Sequence, residues 1–173
     1  GRIADLTFDE LMKFRMDSGN GIQNYGTLPI PTLEEYLKSC TDDGEIIPVI
    51  EIKNCDTKYL PLLKETVAEY GLSEKAVFIS FNGDFLTEYR KLDKDATILY
   101  LRHNPTKEEI DFCMEHNFGI NFYHKDFYKC FSSIKYAREN GVPIGSWTVD
   151  NTIYADVMAL FGAEFITTNK ITP

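Results

Sequence analysis

From Ile46 onward the chain alternates short strand-like runs with longer helix-like ones, and this rhythm restricts the fold more than any single residue does. "IIPVIEI" precedes "TKYLPLLKETVAEYG", "AVFIS" precedes "GDFLTEYRKL", and "ATILYL" precedes "TKEEIDFCMEHN". "GINFY" then leads into "KDFYKCFSSIKYAREN", "PIGSWTV" into "NTIYADVMALF", and "AEFIT" closes the series. The strands are apolar on both faces, as in a parallel sheet covered by helices. Each connection is long enough for a right-handed crossover. Six strands and five connecting helices define an α/β fold.

An open doubly wound sheet and a barrel share that rhythm. Open sheets usually carry a glycine-rich phosphate loop after the first strand, and neither GxGxxG nor GxxxxGK[ST] occurs here. Polar residues instead fall at the C-terminal ends of many strands: Glu51, Lys53, Ser80, Arg102, His103, Asn121, Trp147, Asp150 and Thr168. A site assembled from many strand ends is the habit of a TIM (β/α)8 barrel, of which about six βα units are present. Ahead of them, Thr7 and Glu10 form a capping box before Leu11, Met12, Phe14 and Met16, which predicts a helix. "DSGNGIQNYGTLPIP" reads as a flexible connector in preference to a cap on the barrel mouth, and Thr32 caps "LEEYLKSC". Gly71, Gly119, Gly141 and Gly162 occupy expected left-handed helix ends.

The 173 residues, 43% hydrophobic, suit a single domain over 1–173. A net charge of −9 argues against nucleic acid as a partner, and any anionic substrate must be met by a local cation, side chain or metal. No apolar run reaches the roughly 18 residues of a transmembrane helix. Cys40, Cys55, Cys113 and Cys130 lack metal-site spacing and read as free thiols. The opening "GRIADLTFDE" has the look of mid-domain sequence, so the lack of a leader there says nothing about compartment.

"PTLEEYLKSC…IIPVIEIK", "FISFN" and "GSWTVDN…GAEFITTNKITP" together resemble the glycerophosphodiester phosphodiesterases, metal-dependent TIM-barrel enzymes. The resemblance runs the length of the chain in the correct order. It matches the family's Glu-x-Lys strand, the Ser-Phe after the next strand, and the Trp-Thr-Val strand. The family's His-Arg, Glu-x-Asp and His-Asp motifs have no counterpart, so the resemblance implies strands three to eight, with the first two absent. The chain by itself is then expected to lack activity. The alternative is a non-catalytic paralogue or fragment that assembles with another chain, or with itself, through exposed sheet edges.

Hydrolysis of a phosphodiester needs positive charge at the phosphate and proton transfer at the attacking and leaving oxygens. Glu51 and Lys53, two apart, project from one strand face, which fits a site or a plain salt bridge at a strand end. The resemblance makes Glu51 a ligand of Mg²⁺ or Ca²⁺ and Lys53 the holder of the phosphate. It makes Trp147 a wall for the glycerol moiety, where composition alone favours a core aromatic, and gives Phe81 and Asn121 places at the same mouth. Ser80 lacks a nucleophile elbow. None of His103, His116 and His124 matches the family's catalytic contexts. His116 reads as structural, and the other two as solvated loop residues.

Overall fold

The computed structural model describes residues 2–19 and 21–170. Thr7 Oγ1 accepts from the Glu10 amide (3.3 Å), and the Glu10 carboxylate accepts from the Thr7 amide (2.9 Å), so the expected capping box forms. The helix it starts, α1 (Phe8–Leu11), lasts one turn. Beyond it Arg15 donates to the carbonyls of Met12 (2.6 Å) and Phe14 (2.7 Å). Arg15–Met16 (β1) then pairs antiparallel with Leu28–Pro29 (β2). This corrects the longer helix expected through Met16, and makes part of the expected connector an arm of a ribbon. Phe8, Phe14 and Met16 remain exposed, Leu11 and Met12 are only half-buried, and a short helix that buries so little is marginal in water.

α2 (Leu33–Asp43) starts at the Thr32–Glu35 capping box and buries Leu37 and Cys40. The main sheet then builds in order: β3 (Val49–Glu51), β4 (Val77–Ser80), β5 (Thr97–Arg102), β6 (Gly119–Tyr123), β7 (Ile144–Trp147) and β8 (Phe165–Ile166). Each strand pairs in parallel with the next. The connections are α3 (Leu60–Glu69), α4 (Gly83–Leu92), α5 (Lys107–His116), α6 (Phe127–Glu139) and α7 (Thr152–Phe161). The first strand is shorter than "IIPVIEI" predicts: Ile46 and Ile47 lie outside it and are exposed.

One face of the sheet carries Phe78, Ile98, Ile120, Phe122 and Ile144 against Leu86, Tyr89, Ile110, Ile134 and Met158 of the helices. The alternate residues face the other way. Val49 on β3 and Phe165 on β8, at opposite ends of the strand order, line one cavity of about 240 Å³ with Val77, Ile79 and Leu99. A sheet whose first and last strands share a cavity is curled, and the fold is a six-stranded arc of a TIM-barrel-type sheet. Among the described residues, β3 and β8 each pair on one side only.

Gly71, Gly141 and Gly162 have positive φ and follow helices as expected, but Gly119 does not. Asn117 (φ 55°) supplies the left-handed end of α5, and Gly119 opens β6. A Cβ on Gly119 would overlap Leu99 Cδ2 and lie 2.8 Å from the Pro143 carbonyl oxygen, so the glycine is there for close approach. All four cysteines are free, with Cys40, Cys113 and Cys130 buried and Cys55 exposed. Burial pushes the Cys113 thiol up to about 12 and Cys130 up to about 11. Gly119→Ala is expected to lower stability by about 1–3 kcal/mol in urea denaturation, the usual range for overpacking. An unchanged midpoint would show that the lumen yields there.

Candidate active-site mouth

Strand alternation carries Glu51 and Lys53 to the inner side of the sheet at the C-terminal end of β3. Parallel register puts Phe81 just past β4, His103 just past β5, Asn121 on β6 and Trp147 at the end of β7 around the same opening. Glu51, Lys53, Phe81, His103, Asn121 and Trp147, with Thr148 and Thr167, line one cavity of about 420 Å³. The five residues singled out in the sequence therefore meet. Glu51 Oε2 lies 3.7 Å from Lys53 Nζ, and the lysine side chain is 74% exposed. A pair that open to water adds little to stability. The lysine is free to turn toward an anion in the mouth.

Trp147 is fixed from several directions. Its Nε1 donates to the Asn121 carbonyl (3.2 Å), tying β7 to β6 across the rim. Its ring meets Phe81 edge-on (5.6 Å between centroids), His103 (5.0 Å) and Tyr123 (5.0 Å). These contacts bring in one residue not expected at the mouth. His103, read as a solvated loop residue, stacks on Phe81 (5.8 Å) and approaches Tyr123 (5.4 Å). Its Nδ1 lies 4.0 Å from Asp126, which also pairs with Lys129 (2.6 Å). His124 lies behind the rim and does not line the cavity, its Nδ1 3.3 Å from the Trp147 carbonyl and its ring against Tyr154. Aromatic contacts hold both rings, while His103 stays solvated as expected, its side chain 63% exposed. The sequence offered only a hint, in that each follows directly on an aromatic-bearing strand.

Other polar strand ends point elsewhere. Arg102 faces the helices, paired with Glu109 and lying over the Tyr100 ring. Ser80 is fully buried, donating to the Ile52 carbonyl (2.5 Å) and accepting from the Asn82 amide (3.0 Å), a structural role. His116 ends α5 against Phe112 and Phe118, and its carbonyl accepts from Arg90 (3.2 Å). A larger groove of about 900 Å³ adjoins the mouth and shares Glu51, Lys53 and Phe81. Its outer wall is Tyr100, Phe112 and carboxylates at the starts of α4 and α5, so the barrel-mouth cavity is the better-defined site.

Among the described residues no three His, Cys, Asp or Glu side chains converge where a metal ion would sit. Glu51 offers one carboxylate, whereas Mg²⁺ and Ca²⁺ take six or more oxygen ligands, some of them water. The residues described here do not by themselves make a site for either ion. The rim is closed on the β7–β8 side by Asp150, which accepts from the Asn169 amide (2.7 Å), Asn169 Nδ2 (3.3 Å) and Thr168 Oγ1 (3.4 Å). Ile171, Thr172 and Pro173, the last residues of the closing motif, lie outside the described residues.

A curled parallel sheet with a lysine, a carboxylate and an aromatic wall at its C-terminal rim defines a TIM-barrel-type protein. The chain belongs to the glycerophosphoryl diester phosphodiesterase family, whose model matches residues 1–172. A glycerophosphodiester phosphodiesterase from Parabacteroides distasonis superposes with a TM-score of 0.79 at 26% identity, over 94% of this chain. The chain spans 66% of that protein's length. An Oleispira antarctica phosphodiesterase, solved with the product sn-glycerol-3-phosphate, gives a TM-score of 0.82 at 16% identity, covering 98% of this chain and 69% of its own. The Thermotoga maritima glycerophosphodiester phosphodiesterase gives 0.68 at 17% identity, over 98% of this chain and 68% of its own. No curated protein sequence matches the chain.

Hydrogen bonds from Asn169, first its backbone amide, hold the Asp150 carboxyl below its ordinary value. The group therefore steadies the rim at neutral pH and down through about pH 4. That support is lost as pH falls through the depressed value. NMR titration is expected to find Asp150 protonating below an ordinary aspartate, with Asn169 amide protection lost in the same step. Titration at or above the ordinary value would remove Asp150 as the rim's anchor.

Proposed function

We propose that this chain supplies the phosphate-ester-binding side of a glycerophosphodiester phosphodiesterase. The observation that carries this reading is the convergence of Glu51, Lys53, Phe81, Asn121 and Trp147 on one cavity. The intact enzyme cleaves a glycerophosphodiester to glycerol 3-phosphate and an alcohol, a reading supported by the family and by the product in the Oleispira protein's description. In a chain of net charge −9, the Lys53 ammonium provides the local countercharge for phosphoryl oxygens. Trp147 and Phe81 offer apolar surface to the glycerol carbons. Glu51 would hold a divalent cation, Mg²⁺ or Ca²⁺, only together with ligands beyond the described residues, and the cation would supply positive charge beside the phosphate.

The described residues account for holding the ester, not for cleaving it. The family's proton-shuttling histidines have no sequence counterpart, and His103 stands at the mouth in a different context. The 173-residue chain is expected to hydrolyse glycerophosphocholine no faster than background with either cation added. Turnover that requires the cation and disappears in Glu51→Ala would overturn that expectation. Binding is the positive test. Trp147 is the sole tryptophan, so its fluorescence reports on the mouth directly. Titration with sn-glycerol 3-phosphate should change the signal, and Lys53→Ala should weaken binding about tenfold or more, as loss of a charge-assisted contact does. Equal affinity in Lys53→Ala would remove the phosphate role.

A second reading, association through the sheet edges, is favoured by one observation. Val49 on β3 and Ile46 and Ile47 just ahead of it lie exposed, and the outer edge of β3 has no pairing strand among the described residues. Such an edge templates further pairing, and an inserted lysine blocks it. Sedimentation should find concentration-dependent association that Val49→Lys suppresses. A monomer at every concentration would leave the edge without a protein partner.

A further inference from the structure

Three ionisable side chains line the mouth among the described residues, and they stand on two walls. Glu51 and Lys53 rise from the end of β3. His103 follows β5, two strands away, with Phe81 from the end of β4 between them. The His103 side chain is open to a ligand, at 63% exposed, yet its ring does not swing freely. It stacks on Phe81 with 26° between the planes, and meets Trp147 and Tyr123 edge-on. Its Nδ1 lies 4.0 Å from the Asp126 carboxylate, which stands outside the mouth and is paired with Lys129. The two nitrogens of an imidazole point to opposite sides of the ring, so Nε2 is the one turned away from Asp126. A donor held in place by three rings gives up less freedom on binding than a loose surface side chain does.

We propose that His103 is a second phosphate-holding residue of the mouth, donating from Nε2 to an oxygen of a phosphate ester whose other oxygens meet Lys53. This rests on the proposed phosphate-ester reading and adds to it the donor on the opposite wall. The spacing suits the role. Two strand separations come to about 9–10 Å. A phosphate group with a hydrogen bond of about 2.8 Å at each end bridges about 8 Å. Asp126 beside Nδ1 and a phosphate at Nε2 hold the ring as an imidazolium, with both N–H groups donating. Around the ring, Asp126 and, across the mouth, Glu51 favour that form, while Lys53, Lys129 and Lys125, which lies over Tyr123, oppose it. The incoming phosphate adds the negative charge that decides between them.

The test is calorimetric, because His103 touches Trp147 and its replacement alters the tryptophan signal whatever it does to binding. The whole chain is titrated with sn-glycerol 3-phosphate and with inorganic phosphate. His103→Phe keeps a ring for Phe81 and Trp147 but carries no donor. It should weaken both ligands about tenfold, as loss of a hydrogen bond between charged groups does. His103→Gln gives up the ring but places an amide donor near the position of Nε2, and should recover a large part of that loss. Lys53→Ala should weaken both ligands in the same way. If Lys53→Ala does so while His103→Phe leaves affinity unchanged, or His103→Gln binds no better than His103→Phe, the His103 role alone is overturned. A loss in His103→Phe confined to sn-glycerol 3-phosphate also overturns it, since the ring would then meet the glycerol and not the phosphate. Binding of neither ligand, or binding indifferent to Lys53, overturns the phosphate reading and this inference with it.

Discussion

Every connecting helix must bury an apolar stripe on the outer face of the sheet, and this requirement sets the direction of every strand. Leu86 and Tyr89, Ile110, Ile134 and Met158 all pack against that face. A helix that returns the chain over one face delivers the next strand parallel to the last. Six parallel strands then end on a common rim. That rim collects Lys53, Phe81, His103 and Trp147 without any long-range instruction beyond the repeat. The convergence of functional side chains is thus a by-product of outer packing.

The inner face obeys a different constraint. It is a lumen, and its small residues are as informative as its large ones. Gly119 lets Leu99 and the Pro143 backbone close in from either side. Gly145 leaves room for the carboxamide of Asn121 one level higher. The strand that opens with a glycine and continues through a buried asparagine therefore changes character along its length, from packed floor to polar mouth.

Glu51 and Lys53 were legible because a strand has period two: their spacing alone puts both on one face, and an apolar run before them marks the strand end. The parallel sheet was legible for the same reason, in the repeated strand and helix lengths. Trp147 entered through a motif rather than through periodicity. The misreadings have physical causes. The N-terminal capping box is a true local signal, but α1 stops after one turn, with Phe8 and Phe14 left largely exposed. Gly119 sits where a helix-ending glycine belongs, yet Asn117 takes that conformation and the glycine serves packing across strands. His103 follows a strand like any loop residue, and only the three-dimensional meeting of Phe81, Tyr123 and Trp147 draws it to the mouth. Local signals carried elements, and tertiary neighbours decided the rest.

The spatial order of the six strands is their order in the sequence. No strand waits for a distant one before it can pair, so loop-closure cost stays nearly constant from each βα unit to the next. A nascent chain leaving the ribosome can add units one after another to an existing edge, as repeat proteins do. β8, with two residues and a single neighbour among the described residues, is then the last of these six units to be added and the first to open. Because Thr167 lies directly after it, the mouth takes one of its walls from the least stable of the six units.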